Sequence, residues 1–246
     1  MIKQIELNEE LSLIDFHSHL LPGVDDGSPD VDTSIEMLKA LAKQGVKKVI
    51  ATPHFYATQH SPEDFLEKRN AAVEILQKAI EERGDAEFLP EILLGAEVLY
   101  FTGISHSEAM RELRIENTDL LLLEMPFYPW NAAAVEEVLD MRSNLGIVPV
   151  LAHLDRYFPL QKKCVLNEIV GEDVLVQINA EAFCETRKAK KILKMLDNGE
   201  INFLGSDCHN LSDRAPNFDK AVEVIVKKKR ADALLELCDF ANMVFK

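Results

Sequence analysis

Histidines and carboxylates recur at one kind of place in this 246-residue sequence, just after a short apolar run. His17 and His19 follow the run 11–16, His54 the run 46–51, Glu97 the run 92–96 and Glu124 the run 120–123. His153 follows 147–152, and Asp207 with His209 follow 201–205. His17/His19 and Asp207/His209 are each spaced by two, so in an extended chain both members point to one side and can chelate one ion or address two. Mixed imidazole and carboxylate ligation suits Zn²⁺, Mn²⁺ or Fe²⁺ better than Mg²⁺ or Ca²⁺, which favour all-oxygen shells. One such residue at a strand end is more often a hydrogen-bonded structural group than a ligand. Five of the seven histidines and three carboxylates in equivalent places is an arrangement that random placement seldom yields. His60 and His106 fit no strand end and read as surface histidines.

The elements that must position these groups follow from the alternation of apolar runs with helical periodicity, the signature of βα units. A seventh run, 174–178, completes the set. Helices are expected over 33–44, 62–83, 131–145 and 185–198. Ser61 is placed to cap the second with Pro62 in its first turn, and Gly45, Gly146 and Gly199 stand where helices end. Seven units without a linker or repeat predict one α/β domain over 1–246, a closed or nearly closed barrel, with an open doubly wound sheet as the alternative that the same pattern allows. The C-terminal ends of parallel strands converge on one face of such a barrel, where active sites are built.

Composition narrows the function. A formal charge of −15 disfavours nucleic acid, whose phosphates demand a Lys/Arg surface, and any phosphate site must overcome that field locally with metal ions and a few arginines. No segment reaches the roughly 18 uninterrupted apolar residues of a membrane span. The opening MIKQIELNEE carries charges where a secretory signal needs an apolar core, so a cytoplasmic location is expected. The cysteines at 164, 184, 208 and 238 lack CxxC spacing and read as reduced core residues.

The motifs IDFHSHLLPGVDDGSPD, ATPH (51–54), GAEV (95–98), LLLEM (121–125), LAHLDRY (151–157) and GSDCHN (205–210) resemble, in this order, the PHP (polymerase and histidinol phosphatase) superfamily. Within it the sequence is most similar to the capsule-type bacterial protein-tyrosine phosphatases, from about residue 13 to the end. The resemblance implies a distorted (β/α)7 barrel with a multinuclear site of three divalent metals at the C-terminal strand ends, usually Mn, with Fe or Zn as alternatives. It implies one ion on His17, His19, Glu97 and Asp207. Glu97 bridges to a second ion held by Glu124 and His153, and Asp26, His54 and His209 take the third. Asp26 comes from the resemblance alone; its neighbour Asp25 competes for the role, and DDG is by itself ordinary turn chemistry. Arg156 and Arg214 match arginines that bind substrate phosphate. Where some relatives carry basic residues after the position of His54, this chain has Phe55 and Tyr56, which points toward aromatic packing of the substrate. The implied partner is a phosphotyrosine protein, the tyrosine-rich tail of a bacterial tyrosine kinase.

Such a site predicts phosphomonoester hydrolysis by a metal-bridging hydroxide, without a covalent intermediate. Three other activities share parts of the pattern: a small-molecule phosphatase of the histidinol phosphate type, an amidohydrolase-type enzyme, and a cysteine-dependent phosphatase. An amidohydrolase commonly uses a bridging lysine where this chain has Glu124. Cys208 to Arg214 has C-x5-R spacing, but the segment CHNLSDR contains no glycine, and Asp213 within it and Asp207 before it would raise the thiol pKa. In an extended DxH segment Cys208 would also point away from the ions.

Overall fold

The computed structural model describes residues 11–171 and 173–246. The N-terminal segment on which the expected absence of an export signal rests therefore lies outside the described residues. The strands are β1 (Leu13–Ser18), β2 (Val46–Ala51), β3 (His54–Phe55), β4 (Glu91–Leu94), β5 (Glu97–Leu99), β6 (Leu120–Glu124), β7 (Val148–Leu151), β8 (Leu175–Asn179) and β9 (Phe203–Gly205). All their pairings are parallel. Thr52-Pro53 interrupts one strand between β2 and β3, and Gly95-Ala96 another between β4 and β5. The ladder continues across both breaks, because Gly95 N–H donates to Ala51 O and Glu97 N–H to Pro53 O.

Seven strand tracks thus run in sequence order, as the seven apolar runs predict. The last track meets the first: Asp207 N–H donates to His17 O at 2.8 Å and His19 N–H to Cys208 O at 2.9 Å. Asp15, buried in β1, fastens the same seam by accepting from both the amide and the hydroxyl of Ser206.

Two apolar clusters hold the barrel. Ile14 and Phe16 of β1 join Leu120 and Leu122 of β6, Val150 and Phe203 in one, with Phe16 stacked on Phe203 at 3.9 Å and Phe245 tilted against both. Leu121 and Leu123, the alternate residues of β6, pack instead with the helices. That period-two division is what a strand buried on both faces requires.

The helices are α1 (Val31–Lys43), α2 (Pro62–Arg83), α3 (Ala132–Leu145), α4 (Lys163–Ile169), α5 (Thr186–Asp197), α6 (Phe218–Lys227) and α7 (Ala231–Val244). The four expected from sequence are present within two residues at each end. The Ser61 hydroxyl caps α2 by accepting from Asp64 N–H at 3.1 Å, and Gly146 closes α3 in the left-handed conformation that a Cβ would disfavour. Among the described residues no helix is long and apolar enough to cross a membrane.

Two expectations are corrected. Cys208 and Cys238 are buried, whereas Cys164 and Cys184 lie on the surface and are not core residues. The Asp207–His209 segment is not extended, because Asp207 has φ +52°.

Candidate metal centre

Eight predicted strand-end residues meet at one face, and Asp26 reaches them from the loop after β1. Glu97, at the start of β5 and 1% exposed, is the hub. Its Oε2 lies 3.3 Å from His17 Nε2, 3.3 Å from His19 Nε2 and 2.8 Å from His54 Nδ1, while Oε1 lies 3.0 Å from His153 Nε2. Burial opposes ionisation of Glu97, but the charge of His17 and the bonds from His153, His17 and His19 prevail and hold its carboxyl well below the usual range.

The histidines are oriented by partners on their far sides. The peptide N–H of His153 donates to Gln177 Oε1 at 2.6 Å, which identifies that atom as the oxygen. His17 Nδ1, 3.3 Å from the same oxygen, must then be the protonated nitrogen, leaving Nε2 to face the cluster. His19 Nδ1 donates likewise to Asp25 Oδ2 at 2.6 Å. Two Nε2 atoms, of His17 and His19, consequently face each other at 3.0 Å. A positive charge is required between them, supplied by a proton or a metal ion. Burial pushes the His19 pKa down, but bonds to Asp25 and Glu97 outweigh it and raise it to about 10. His209 Nδ1 bonds to Asp207 O at 3.0 Å, so its Nε2 points toward Asp26 Oδ1 at 3.4 Å. Burial, then the nearby charge of His19, lowers its pKa to about 4, and the neutral imidazole is the form that ligates a metal.

The residues fit metal ions. Potential ligand atoms converge in three groups, His17/His19/Asp207, His19/Asp26/His54/His209 and His54/Glu97/Glu124. Apart from the histidine nitrogens that crowd Glu97 Oε2, that atom and His209 Nε2 are buried without a well-formed hydrogen bond among the described residues, as expected of atoms shaped to meet a cation. The implied ligand sets assign His54 and His19 differently from these groups: His54 also reaches Glu97, and His19 also reaches the Asp26 group. His153, implied beside Glu124, is there, at 3.4 Å. The geometry separates the two aspartates. Asp25 is consumed by His19, by His54 N–H at 3.0 Å and by Gly27 N–H at 3.0 Å, whereas Asp26 is exposed and faces His54 and His209. Gly27 allows this turn because any Cβ there would lie 2.0 Å from His19 O.

Asp207 carries the arginines. Its Oδ2 accepts from Arg156 and from Asn179 Nδ2 at 3.1 Å, and its Oδ1 from Arg214 at 2.9 Å. Burial opposes its ionisation, but His17, Arg156 and His19 together depress its pKa. Both Asp207 and His153 have positive φ, two of four such non-glycine residues among those described, so backbone strain concentrates at this site.

A family model for capsular polysaccharide synthesis, CpsB/CapC, matches residues 13–243. The chain belongs to that family. It is 29% identical to the tyrosine-protein phosphatase YwqE of Bacillus subtilis over 240 residues, covering 95% of this chain and 92% of that one. It is 27% identical to the tyrosine-protein phosphatase CpsB of Streptococcus pneumoniae over 241 residues, covering 92% and 94%. The crystal structures of YwqE and CpsB, described as unique metal-dependent tyrosine phosphatases, include a chain that superposes with a TM-score of 0.80 at 26% identity over 94% of each chain. A β-aspartyl dipeptidase of Fervidobacterium islandicum shares the fold alone, with a TM-score of 0.54 at 14% identity over 95% of this chain and 72% of that one.

In this CpsB/CapC chain several site residues escaped sequence reasoning. Gln177 and Asn179 orient ligand candidates without being candidates themselves, and Asp25, weighed as an alternative to Asp26, instead orients His19. The only available signal was polar residues at alternate positions of the apolar run 174–178 and its end. The loop after β6 presents Phe127, half exposed, with its ring stacked on His153 at 5.8 Å and on Tyr157 at 5.3 Å. Phe55, expected to meet substrate, is instead core: it is 1% exposed and packs edge-on against Phe65, because it points to the opposite side of β3 from His54. Tyr56 does reach the site and stacks on His54 at 5.3 Å. His106 is exposed as expected, while the exposed His60 helps line a pocket with Asp26, His54 and Tyr56.

Cys208 is fully buried, and its thiol is pushed well above the usual range by burial, then by Asp15. It packs in the apolar cluster shared with the helices rather than among the converging ligand atoms, and the Asp207 N–H and Cys208 carbonyl are tied across the barrel seam to His17 O and His19 N–H. Cys208→Ser is therefore expected to keep most of its turnover. Iodoacetamide should label Cys164 and Cys184 with little inhibition. A dead variant that retains its metals would move the nucleophile to the cysteine.

Proposed function

We propose that this chain is a cytoplasmic, metal-dependent protein-tyrosine phosphatase, acting as one unit over residues 1–246. The observation that carries the reading is the meeting of Arg156 and Arg214 on Asp207, a carboxylate of the His/Asp/Glu cluster, in a chain of net charge −15. Two guanidinium forks held at that point offer N–H donors to a phosphoryl group and, together with bound ions, would contribute the local positive field it needs. His17, His19, Glu97 and Asp207 would hold one ion, Glu97, Glu124 and His153 a second, and Asp26, His54 and His209 a third. Mn²⁺ is the proposed metal, with Fe²⁺ or Zn²⁺ compatible with the donors. Bound there, such ions supply Lewis-acid charge against phosphoryl oxygens and a water acidified to a pKa of about 7.

The chain's own residues do the rest. Gln177 and Asp25 hold the His17 and His19 nitrogens in the ligating tautomer. Each arginine uses part of its five-donor guanidinium on Asp207 and keeps further N–H groups for phosphoryl oxygens, contacts that strengthen as charge gathers in the transition state. Phe127 and Tyr56, stacked on opposite histidines of the Glu97 hub, give a substrate phenyl ring apolar walls. A phenolate, with a conjugate-acid pKa of about 10, leaves without a strong general acid. The proposed partner is a phosphotyrosine protein, the tyrosine-rich tail of a bacterial tyrosine kinase.

The test is metal analysis together with turnover of a phosphotyrosyl peptide against histidinol phosphate. Preference for the second compound would reassign the chain to small-molecule chemistry. Arg156→Ala and Arg214→Ala are expected to bind metal normally yet each lose about 2–4 kcal/mol of transition-state stabilisation in kcat/KM. Unchanged kinetics in either would demote that arginine to a partner of Asp207 only.

A further inference from the structure

A cleft of about 850 Å³ opens between α4, α5 and the turn that carries Arg156. Its floor is apolar, formed by Leu154, Phe158, Leu166 and Met195, and Lys163, Lys191 and Lys194 stand around it. Among the described lining residues Glu200 is the one carboxylate, and it already accepts from Asn198 Nδ2 at 2.7 Å. None of the three lysines makes an ion pair among the described residues. Lys188, on α5 with Lys191 and Lys194, shows the contrast by pairing with both Asp155 and Glu185. Unpaired lysines clustered in a chain with 42 acidic and 27 basic residues need a reason. Lys191 lies 3.3 Å from the centre of the Phe158 ring, and burial, then the charge of Lys163, lowers its pKa. Glu200 offsets part of this charge, and three lysines against one carboxylate leave the cleft lining net positive.

Its shape and position narrow the occupant. A small inorganic anion would fill little of this volume and leave the apolar floor wet; the mixed lining suits a chain segment carrying both carboxylates and apolar side chains. Leu154 and Phe158 flank Arg156 at two residues' distance on either side, so the cleft and the catalytic face share one wall.

We propose that this cleft docks an acidic, partly apolar segment of the phosphoprotein substrate, whose carboxylates meet Lys163, Lys191 and Lys194. The proposal rests on the phosphatase reading.

The metal-loaded enzyme is compared on two phosphotyrosyl peptides, one flanked by Asp, Glu and Leu and one by Ser, with p-nitrophenyl phosphate as a control. The acidic peptide is expected to be favoured by about tenfold, mainly through KM, with the preference fading at high salt. Lys191→Glu combined with Lys194→Glu should bring that ratio to about one while p-nitrophenyl phosphate turnover stays within about twofold. Lys163→Gln with Lys194→Gln serves if the charge reversal folds poorly by circular dichroism. Equal use of both peptides by the wild type, or a preference that survives both variants, overturns the docking groove. Loss of the phosphatase reading is distinguishable. If no phosphate ester is hydrolysed, fluorescence anisotropy of the unphosphorylated acidic peptide, with and without the lysine variants, still tests the cleft, and absence of lysine-dependent binding overturns it.

Discussion

Glu97→Gln is expected to lower kcat/KM on the order of 100-fold or more, beyond the loss from any single peripheral ligand. The substitution keeps the shape of the side chain and removes its charge. One carboxylate contacts His17, His19, His54 and His153, so its loss touches two proposed ion positions at once. A neutral amide bridges cations poorly, and its NH₂ would face imidazole nitrogens that are already oriented by Gln177 and Asp25. Because Glu97 is ionised well below the usual range, the variant also removes a buried negative charge at every ordinary pH. Metal content by elemental analysis, kcat/KM on an aryl phosphate and circular dichroism should be measured on the same preparation. Near-normal turnover with full metal content would show that Glu97 is not a bridge.

Removal of divalent ions is expected to abolish turnover, and Mn²⁺ to restore it. A second readout, the melting temperature, does not depend on activity. Glu97, Asp207 and Glu124 are buried and Asp26 adjoins them, so their negative charges are balanced by proton uptake and by the two arginines unless ions are present. Ligands that bind only the native state stabilise it by about 2.7 kcal/mol at a hundredfold excess over Kd. At about 2–4 °C per kcal/mol for a chain of this length, chelation should lower the melting temperature by about 5–11 °C. Undiminished turnover in excess chelator, or a melting temperature indifferent to metal, would exclude a metal-built site.

The barrel and most of its site were legible because both are written in local patterns. Apolar runs of four to six residues can bury both faces only as strands between helices, and polar residues directly after them must surface at the strand ends. His17, His54, Glu97, Glu124 and His153 were therefore visible from spacing alone. Asp26 was not: it sits in a loop, and its choice over Asp25 depends on which carboxylate folds back onto His19. Gln177 and Asn179 were hidden for a different reason, since a buried polar residue in an apolar run signals a partner without saying which. Phe55 misled because its position next to His54 suggested the site, while strand alternation sends it to the core.

Chain order, strand positions and the donor types of the cluster were determined by the sequence itself, through periodicities that act over a few residues. Only the tertiary structure decided how those donors meet. Glu97 as the common contact of four histidines, the locked tautomers, the two arginines on Asp207 and the unbalanced lysine cleft all depend on where distant strands and helices come to lie. Such contacts join residues as far apart as His17 and Gln177, and no local pattern encodes the closure of a barrel seam that brings them within 3.3 Å.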